Sequence, residues 1–153
     1  MALGNPPGYN LAREVSEPDF VCKLKTCNRF INIKQGSETD DVNHIDVFAE
    51  FKIKSNHIIE LWFDVKDKEF QNINTPNYSI TEVEVNNIKQ NPEKYKYHYF
   101  ACVEYINGKK TGKYLLIRSL KALNFENECL KYVDTYYLLN IPNCEKRKLV
   151  IVF

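Results

Sequence analysis

Two aspartates and a lysine form the clearest chemical pattern in this sequence. Asp64 and Lys66 flank Val65, so on a strand their side chains point to one face, and Asp46 lies 18 residues before Asp64. Magnesium prefers oxygen ligands and often takes only one or two protein carboxylates. A lysine alongside can orient an attacking water or offset charge that develops on phosphate. These residue types therefore suit metal-assisted phosphodiester hydrolysis, with the Val65 carbonyl as a further oxygen.

The segments around these residues predict a β-hairpin over about 47–65. Apolar and polar residues alternate with a period of two in 47–54 and again in 59–66. The polar stretch 55–57 lies between them and has a length that hairpin loops use. Because each strand has one apolar side, both apolar sets must face the same core.

This requirement limits the register of the hairpin. Paired residue numbers must sum to an even value, or one apolar set would point into water. A sum of 112 pairs Lys52 with Glu60, whereas a sum of 110 sets Glu50 directly against Glu60, which is unfavourable. We therefore expect 112, which places Asp46 on the polar face opposite Lys66. The two aspartates and the lysine should then converge at the open end of the hairpin.

Further elements are expected on both sides of the hairpin. A short helix is predicted over 10–17, ended by Pro18. Downstream, the sequence Ser-Ile-Thr-Glu at 79–82 is a capping box that begins a helix running to about Gln90. A strand at 95–106 follows, and a turn at 107–108 connects it to a second strand at 113–118. The sequence indicates no partner for His98 in the first of these strands.

The bulk composition indicates one globular domain. The chain has 153 residues, of which 13% are aromatic, so we expect a single α+β domain over 1–153, with 1–10 as a flexible arm. Five cysteines without a secretory signal indicate reduced thiols in an intracellular protein, cytoplasmic or nuclear. No stretch approaches the roughly 20 apolar residues of a spanning helix, so no membrane partner is expected.

Charge is distributed unevenly although the net charge is only +1. Residues 38–84 are acidic and residues 89–121 are basic. This asymmetry is compatible with an acidic metal site beside a phosphate-binding rim, and equally with two ordinary solvated faces. The candidate rim consists of five lysines: Lys94, Lys96, Lys109, Lys110 and Lys113.

The dipeptide Ile45-Asp46 and the tripeptide Asp64-Val65-Lys66 together resemble the PD-(D/E)xK motif of the restriction-endonuclease-like nucleases. In that family the first Asp begins one hairpin strand and the (D/E)xK tripeptide lies on the next. The resemblance covers about 42–106 and implies a mixed central sheet flanked by helices. It also implies Mg²⁺ or Mn²⁺ held by Asp46, Asp64 and the Val65 carbonyl, with Lys66 as the catalytic lysine.

The family often adds an acidic residue from a preceding helix, here Glu14 or Glu17. The resemblance thus implies an endonuclease whose partner is nucleic acid, DNA rather than RNA, with Asp46, Asp64 and Lys66 as catalytic residues. A homodimer is compatible with the sequence. Pro18-Asp19 with Glu50-Phe51-Lys52 is a rival motif that strand geometry disfavours.

A second interpretation is a non-catalytic module that binds nucleic acid or protein. It would use the tyrosine- and lysine-rich region 94–118. Four tyrosines there alternate along the predicted strand and would share one face, which suits base stacking or a protein interface: Tyr95, Tyr97, Tyr99 and Tyr105.

Overall fold

The computed structural model describes residues 12–36, 45–68, 77–124, 130–133, 136–140 and 148–151. The predicted arm at 1–10 lies outside these residues. Among the described residues, no helix has the length and apolar character to cross a membrane. In this described part of the chain, a π-helical turn at Ala12–Ser16 precedes the α-helices, which are α1 (Glu17–Lys25), α2 (Glu82–Gln90) and α3 (Ser119–Asn124).

The strands form two sheets. They are β1 (Phe30–Gln35), β2 (Val47–Lys54), β3 (His57–Lys66), β4 (Asn77–Thr81), β5 (His98–Ile106), β6 (Lys109–Arg118), β7 (Leu130–Val133), β8 (Tyr136–Asn140) and β9 (Lys148–Ile151). The larger sheet has the order β1-β2-β3-β5-β6-β9, in which β3 and β5 are parallel and the other pairs antiparallel. The smaller sheet has the order β4-β8-β7. The predicted α+β fold with a mixed central sheet and hairpin is confirmed.

Helices cover both faces of the central sheet, and each makes its own core. On one face Phe63 and Leu61 of β3 pack with Phe20 of α1, and the Phe20 and Phe63 rings lie 5.0 Å apart. On the other face Phe100 of β5 packs with residues of α2 and α3, and Trp62 borders this second core. Alternate residues of β3 therefore serve opposite faces, as a period of two requires.

Both helix starts differ from the sequence prediction. Pro18 does not end a helix but lies in the first turn of α1, where its missing N–H would have no intrahelical partner anyway. Helix α2 is capped by Thr81 and not by Ser79, because the Thr81 side chain accepts a hydrogen bond from the Glu84 N–H at 3.1 Å. Ser79 instead pairs with Leu138 in the small sheet.

The predicted hairpin register of 112 is wrong, and the register is 110. Val47 pairs with Phe63 and Glu50 pairs with Glu60. A register shift between Lys52 and Lys54 absorbs the extra residue next to a two-residue turn, a bulge that the sequence argument did not consider. Because 110 and 112 are both even, each side chain still points to the face predicted for it.

The fold tolerates two glutamates directly opposite each other because each carboxylate accepts a hydrogen bond from a different donor. Glu50 accepts a hydrogen bond from the Asn32 amide, and Glu60 accepts one from the Trp62 indole N–H at 2.5 Å. Both side chains also reach solvent, which screens their repulsion.

Removing one of these two charges should stabilise the fold slightly. Glu60→Gln keeps an oxygen acceptor for Trp62 and removes the repulsion, so the free energy of unfolding should rise by about 0.5 kcal/mol. Urea denaturation measures this change, with the exposed Glu93→Gln as control. A decrease in stability for Glu60→Gln would show that the repulsion is not significant.

Candidate active site

The structure brings Asp46, Asp64 and Lys66 together at one end of the hairpin. On β3, Lys66 Nζ lies 3.1 Å from Asp64 Oδ2. Asp46 immediately precedes β2, where its Oδ2 accepts a hydrogen bond from the Val65 N–H at 2.8 Å and its own N–H donates to Phe63 O at 2.8 Å. With the register at 110, Asp46 thus lies beside Phe63 and Val65 and not opposite Lys66.

The Val65 carbonyl lies on the same side of β3 as Asp46. In an antiparallel pair a residue that donates toward one edge also accepts from that edge, so its N–H and C=O point the same way. Since the Val65 N–H points to the Asp46 carboxylate, the carbonyl oxygen points toward that edge as well. By this geometry the Asp46 carboxylate and the Val65 carbonyl lie toward the same edge of β3.

Two further residues complete the cluster, and the sequence argument missed both. Glu84 of α2 places its Oε1 3.0 Å from Lys66 Nζ. One ligand atom each from Asp64, Glu84 and His98 lie within 4.8 Å of one another, and all three residues are buried. The sequence feature that could have identified Glu84 is its position beside the apolar residues Val85 and Ile88 on the buried side of α2.

Burial and crowding strongly perturb the acids of this cluster. Burial, reinforced by the Asp64 charge, raises the pKa of Asp46 and of Glu84 well above the ordinary values. Burial opposes ionisation of Asp64 too. The Lys66 charge and hydrogen bonds from Glu84 and Asp46 outweigh it, however, and lower the pKa of Asp64.

Lys66 keeps its proton in this surrounding. Burial alone would lower its pKa, but the charges of Asp64, Glu84 and Asp46 raise the pKa above the ordinary lysine value. One lysine thus faces three buried carboxyl groups, of which Asp46 and Glu84 have raised pKa values and Asp64 has a lowered one. The three carboxyl groups bring more oxygen donors together than the single lysine can neutralise. A divalent cation prefers such oxygen ligands, so these residues fit a metal ion.

Of the two candidate third acids, Glu17 lies near the cluster and Glu14 is exposed. Glu17 is buried at the start of α1, and its Oε1 accepts a hydrogen bond from the Gln35 amide at 3.2 Å. Burial raises the pKa of Glu17 to about 7, although the Gln35 hydrogen bond opposes the rise, and the Asp64 charge adds to it.

Asp67, directly after β3, fixes these elements relative to one another. Its buried carboxylate accepts hydrogen bonds from the Ser16 and Tyr105 hydroxyls and from the Lys68 N–H at 2.7 Å. Lys110 Nζ lies 3.3 Å from its second oxygen. Asp67 thereby joins the end of β3 to the start of α1 and to the β5–β6 hairpin, next to Lys66.

The five lysines of the predicted rim do not form one group. Lys94 and Lys96 precede β5, whereas Lys109, Lys110 and Lys113 lie in the first half of β6, alongside the last residues of β5. A nine-residue strand separates the two groups by about 30 Å. A nucleic acid would therefore have to extend along the sheet to contact both.

The four tyrosines do not form one strand face either. Tyr95 and Tyr97 lie before β5, which begins only at His98, and Tyr95 is buried in the α2 core. Tyr99 and Tyr105 pack against the opposite core. Tyr97 is therefore the one exposed enough for stacking, and a continuous aromatic platform is absent from this described region.

The rival motif is not assembled. Asp19 of α1 accepts a hydrogen bond from the Tyr114 hydroxyl at 2.9 Å and pairs with Lys23 at 3.6 Å. Glu50 contacts Asn32 and faces Glu60. These two acids thus have separate surroundings on different elements.

The mixed sheet, its hairpin and the flanking helices define a restriction-endonuclease-like fold, and the hairpin end carries acids that could hold a metal ion. The solved structure of D212, a nuclease from a fusselovirus, is similar to this chain with a TM-score of 0.52. The similarity covers 95% of each chain at 16% identity, so it concerns the fold. No family model matches the sequence, and no curated protein matches it either.

Cation binding should strengthen as the pH rises. The pKa of Glu17 is about 7, and those of Asp46 and Glu84 are also raised, so a cation must displace protons near neutral pH. For the Glu17 proton alone, the affinity for Mn²⁺ should fall about tenfold in total between pH 8 and pH 6, because this group is mostly ionised above its pKa. Calorimetric titration in two buffers of different ionisation enthalpy measures the released protons, and a pH-independent affinity would contradict this.

The raised pKa of Glu17 also makes the stability of the metal-free fold depend on pH. The folded-state pKa of Glu17 lies above its ordinary value of 4.5, so the folded chain binds a proton more tightly than the unfolded chain. The stabilisation is complete below pH 4.5 and is lost as the pH rises through about 7.

Proposed function

We propose that this protein is a metal-dependent endonuclease of PD-(D/E)xK type that hydrolyses phosphodiester bonds of DNA. One observation carries the proposal. Lys66 Nζ lies between Asp64 at 3.1 Å and Glu84 at 3.0 Å, and Asp46 is hydrogen-bonded to the intervening residue of the same strand. The similarity of the fold to that of a nuclease supports it.

Asp46, Asp64 and the Val65 carbonyl would hold Mg²⁺ or Mn²⁺, with Glu17 as the further acid. When bound, the cation would supply Lewis acidity and lower the pKa of a coordinated water. Asp64 also belongs to the second set with Glu84 and His98. The imidazole of this second set suits Mn²⁺ better than Mg²⁺ because magnesium prefers oxygen ligands.

Lys66 would orient the attacking water and offset charge that develops on the phosphate. Its amine has three N–H donors, so contacts to both Asp64 and Glu84 leave a donor for a water or a phosphate oxygen. Glu84 acts as a positioning residue because it holds the amine from the helix side. The lysines along the sheet, Lys94, Lys96, Lys109, Lys110 and Lys113, would contact the DNA backbone.

Cleavage of supercoiled plasmid, labelled single-stranded DNA and RNA tests this proposal. We expect cutting of DNA with Mg²⁺ or Mn²⁺ and none with EDTA. Glu84→Gln should reduce cutting at least tenfold, whereas the exposed Glu82→Gln, on the first turn of the same helix, should not.

One outcome would contradict the proposal, and another would remove the positioning role of Glu84. If the protein cuts no substrate with any divalent cation but binds DNA, the second interpretation, a binding module, is correct. If the two glutamine variants cut equally well, Glu84 does not position Lys66 and the lysine is held by Asp64 alone.

A further inference from the structure

A pocket lies on the central sheet beside the candidate active site. It has a volume of about 240 Å³ and is lined by residues of β1, β2 and β3: Asn32, Lys34, Phe48, Ala49, Glu50 and Glu60. Phe48 is two residues from Asp46 along the chain, and Glu60 is four from Asp64 along β3. Since these spacings are even, the pocket opens on the face that carries the acid cluster.

The glutamates give the pocket its chemistry. Glu50 and Glu60 face each other directly across the β2–β3 pair, in the like-charge arrangement that the sequence argument rejected. Each accepts one hydrogen bond from the protein, from Asn32 and Trp62 respectively. A carboxylate has about four acceptor positions, so both can accept more. Locally unfavourable arrangements of this kind are typical of functional sites.

An aromatic wall accompanies the glutamates. Phe48 is half-buried and contacts the Trp62 ring, with centroids 6.3 Å apart and the planes nearly perpendicular. The Lys34 amine lies 5.1 Å from the centre of the Phe48 ring. A flat ligand that displaces the Lys34 amine from the Phe48 ring could stack there with its edge toward the carboxylates, and the displaced amine would attract a neighbouring phosphate.

The position of the pocket relates it to the cut bond. Two residues of strand separate Phe48 from Asp46 and four separate Glu50 from Asp46, rises of about 7 Å and about 13 Å, which are comparable to one and two nucleotides of an extended strand. A base placed in the pocket would therefore belong to a nucleotide within two of the phosphate at the acid cluster.

We propose that this pocket binds an unpaired nucleobase that carries an exocyclic amino group, near the phosphodiester bond that is hydrolysed. Cytosine, adenine and guanine donate such hydrogen bonds, and glutamate accepts them, whereas uracil and thymine carry carbonyl oxygens and no exocyclic amino group. The base must be single-stranded or extruded to enter. The inference rests on the proposed function, since it names the substrate class of the same site.

Trp62, the single tryptophan of the chain, reports on the pocket without any cleavage. Hexamers of deoxycytidine and of deoxyuridine, of which only the first carries an exocyclic amino group, are titrated with Ca²⁺ present, and tryptophan fluorescence is recorded. The wild type should bind the cytosine hexamer about tenfold more tightly. The double variant Glu50→Gln/Glu60→Gln, which keeps its acceptor oxygens for Asn32 and Trp62, should bind both hexamers equally. The exposed Glu93→Gln should behave as wild type.

Two results would overturn the inference. Equal affinity of the wild type for the two hexamers, with DNA cleavage intact, removes the base pocket and leaves the nuclease. A fluorescence change with Ca²⁺ alone, without any preference between hexamers, identifies a cation site instead. A clear cytosine preference in a protein that never cuts nucleic acid supports the pocket and contradicts the proposed nuclease activity.

Discussion

Replacing Lys66 with methionine should abolish cleavage and also lower the free energy of unfolding by about 3 kcal/mol. Methionine has a similar length but no charge, so Asp64 and Glu84 would lose the amine that now lies 3.1 and 3.0 Å away. Three buried carboxyl groups would then have no neutralising partner in the metal-free protein. The loss should be larger at pH 8 than at pH 5.5, because the acids of the cluster take up protons as the pH falls.

Urea denaturation with and without Mn²⁺ measures this effect. A bound cation should restore much of the lost stability, since it replaces the positive charge that the variant lacks. Lys52→Met is the control, because Lys52 is exposed on the same hairpin. A Lys66→Met protein that is as stable as wild type and still cuts DNA would show that the amine is neither structural nor catalytic.

Replacing Asp64 with asparagine should reduce the single-turnover cleavage rate by a factor of about 1,000. Asp64 is the acid of the cluster whose pKa is lowered, and it belongs to both candidate ligand sets. Asparagine preserves its shape but neither the negative charge nor the second anionic oxygen. The rise in melting temperature that we expect Mn²⁺ to cause in the wild type should be absent from the variant.

The matched control is Asp19→Asn, which makes the same substitution at a partly exposed position on α1. It should keep both the cleavage rate and the response to Mn²⁺. If Asp64→Asn retains the Mn²⁺ response while losing cleavage, the cation is held by other residues and Asp64 acts only through Lys66.

The convergence of Asp46, Asp64 and Lys66 followed from the sequence even though the hairpin register did not. The alternation of apolar residues determines which face a side chain occupies, and this depends only on whether the sum of paired numbers is even. A shift from 112 to 110 therefore left Asp46 on the correct face and changed only its neighbours. The bulge near Lys54 was not predictable from alternation, because it depends on how the turn closes.

Residues from other elements were harder to predict. Glu84 joins the cluster because α2 begins at Glu82 and turns its third residue inward, whereas the capping-box pattern placed the helix start at Ser79. Thr81 was an equally suitable cap by composition, and only packing of β4 in the small sheet selects it. His98 enters through the parallel pairing of β3 with β5, which nothing in the local sequence specifies.

Charge along the chain was the weakest guide. The lysines of region 94–113 are close in sequence, but the length of β5 separates them into two groups. One of them, Lys110, forms an ion pair with Asp67. Proximity in sequence indicates a shared surface only where the intervening segment is short or folds back. Here the β5–β6 hairpin is long enough to carry the two groups apart.

Diffraction from crystals of the protein soaked with Mn²⁺ tests the central claim most directly. An anomalous peak within about 2 Å of carboxylate oxygens of both Asp46 and Asp64, with the Val65 carbonyl in the same shell, is the predicted result. No peak at this end of the hairpin at saturating Mn²⁺, or one held solely by other residues, would contradict it.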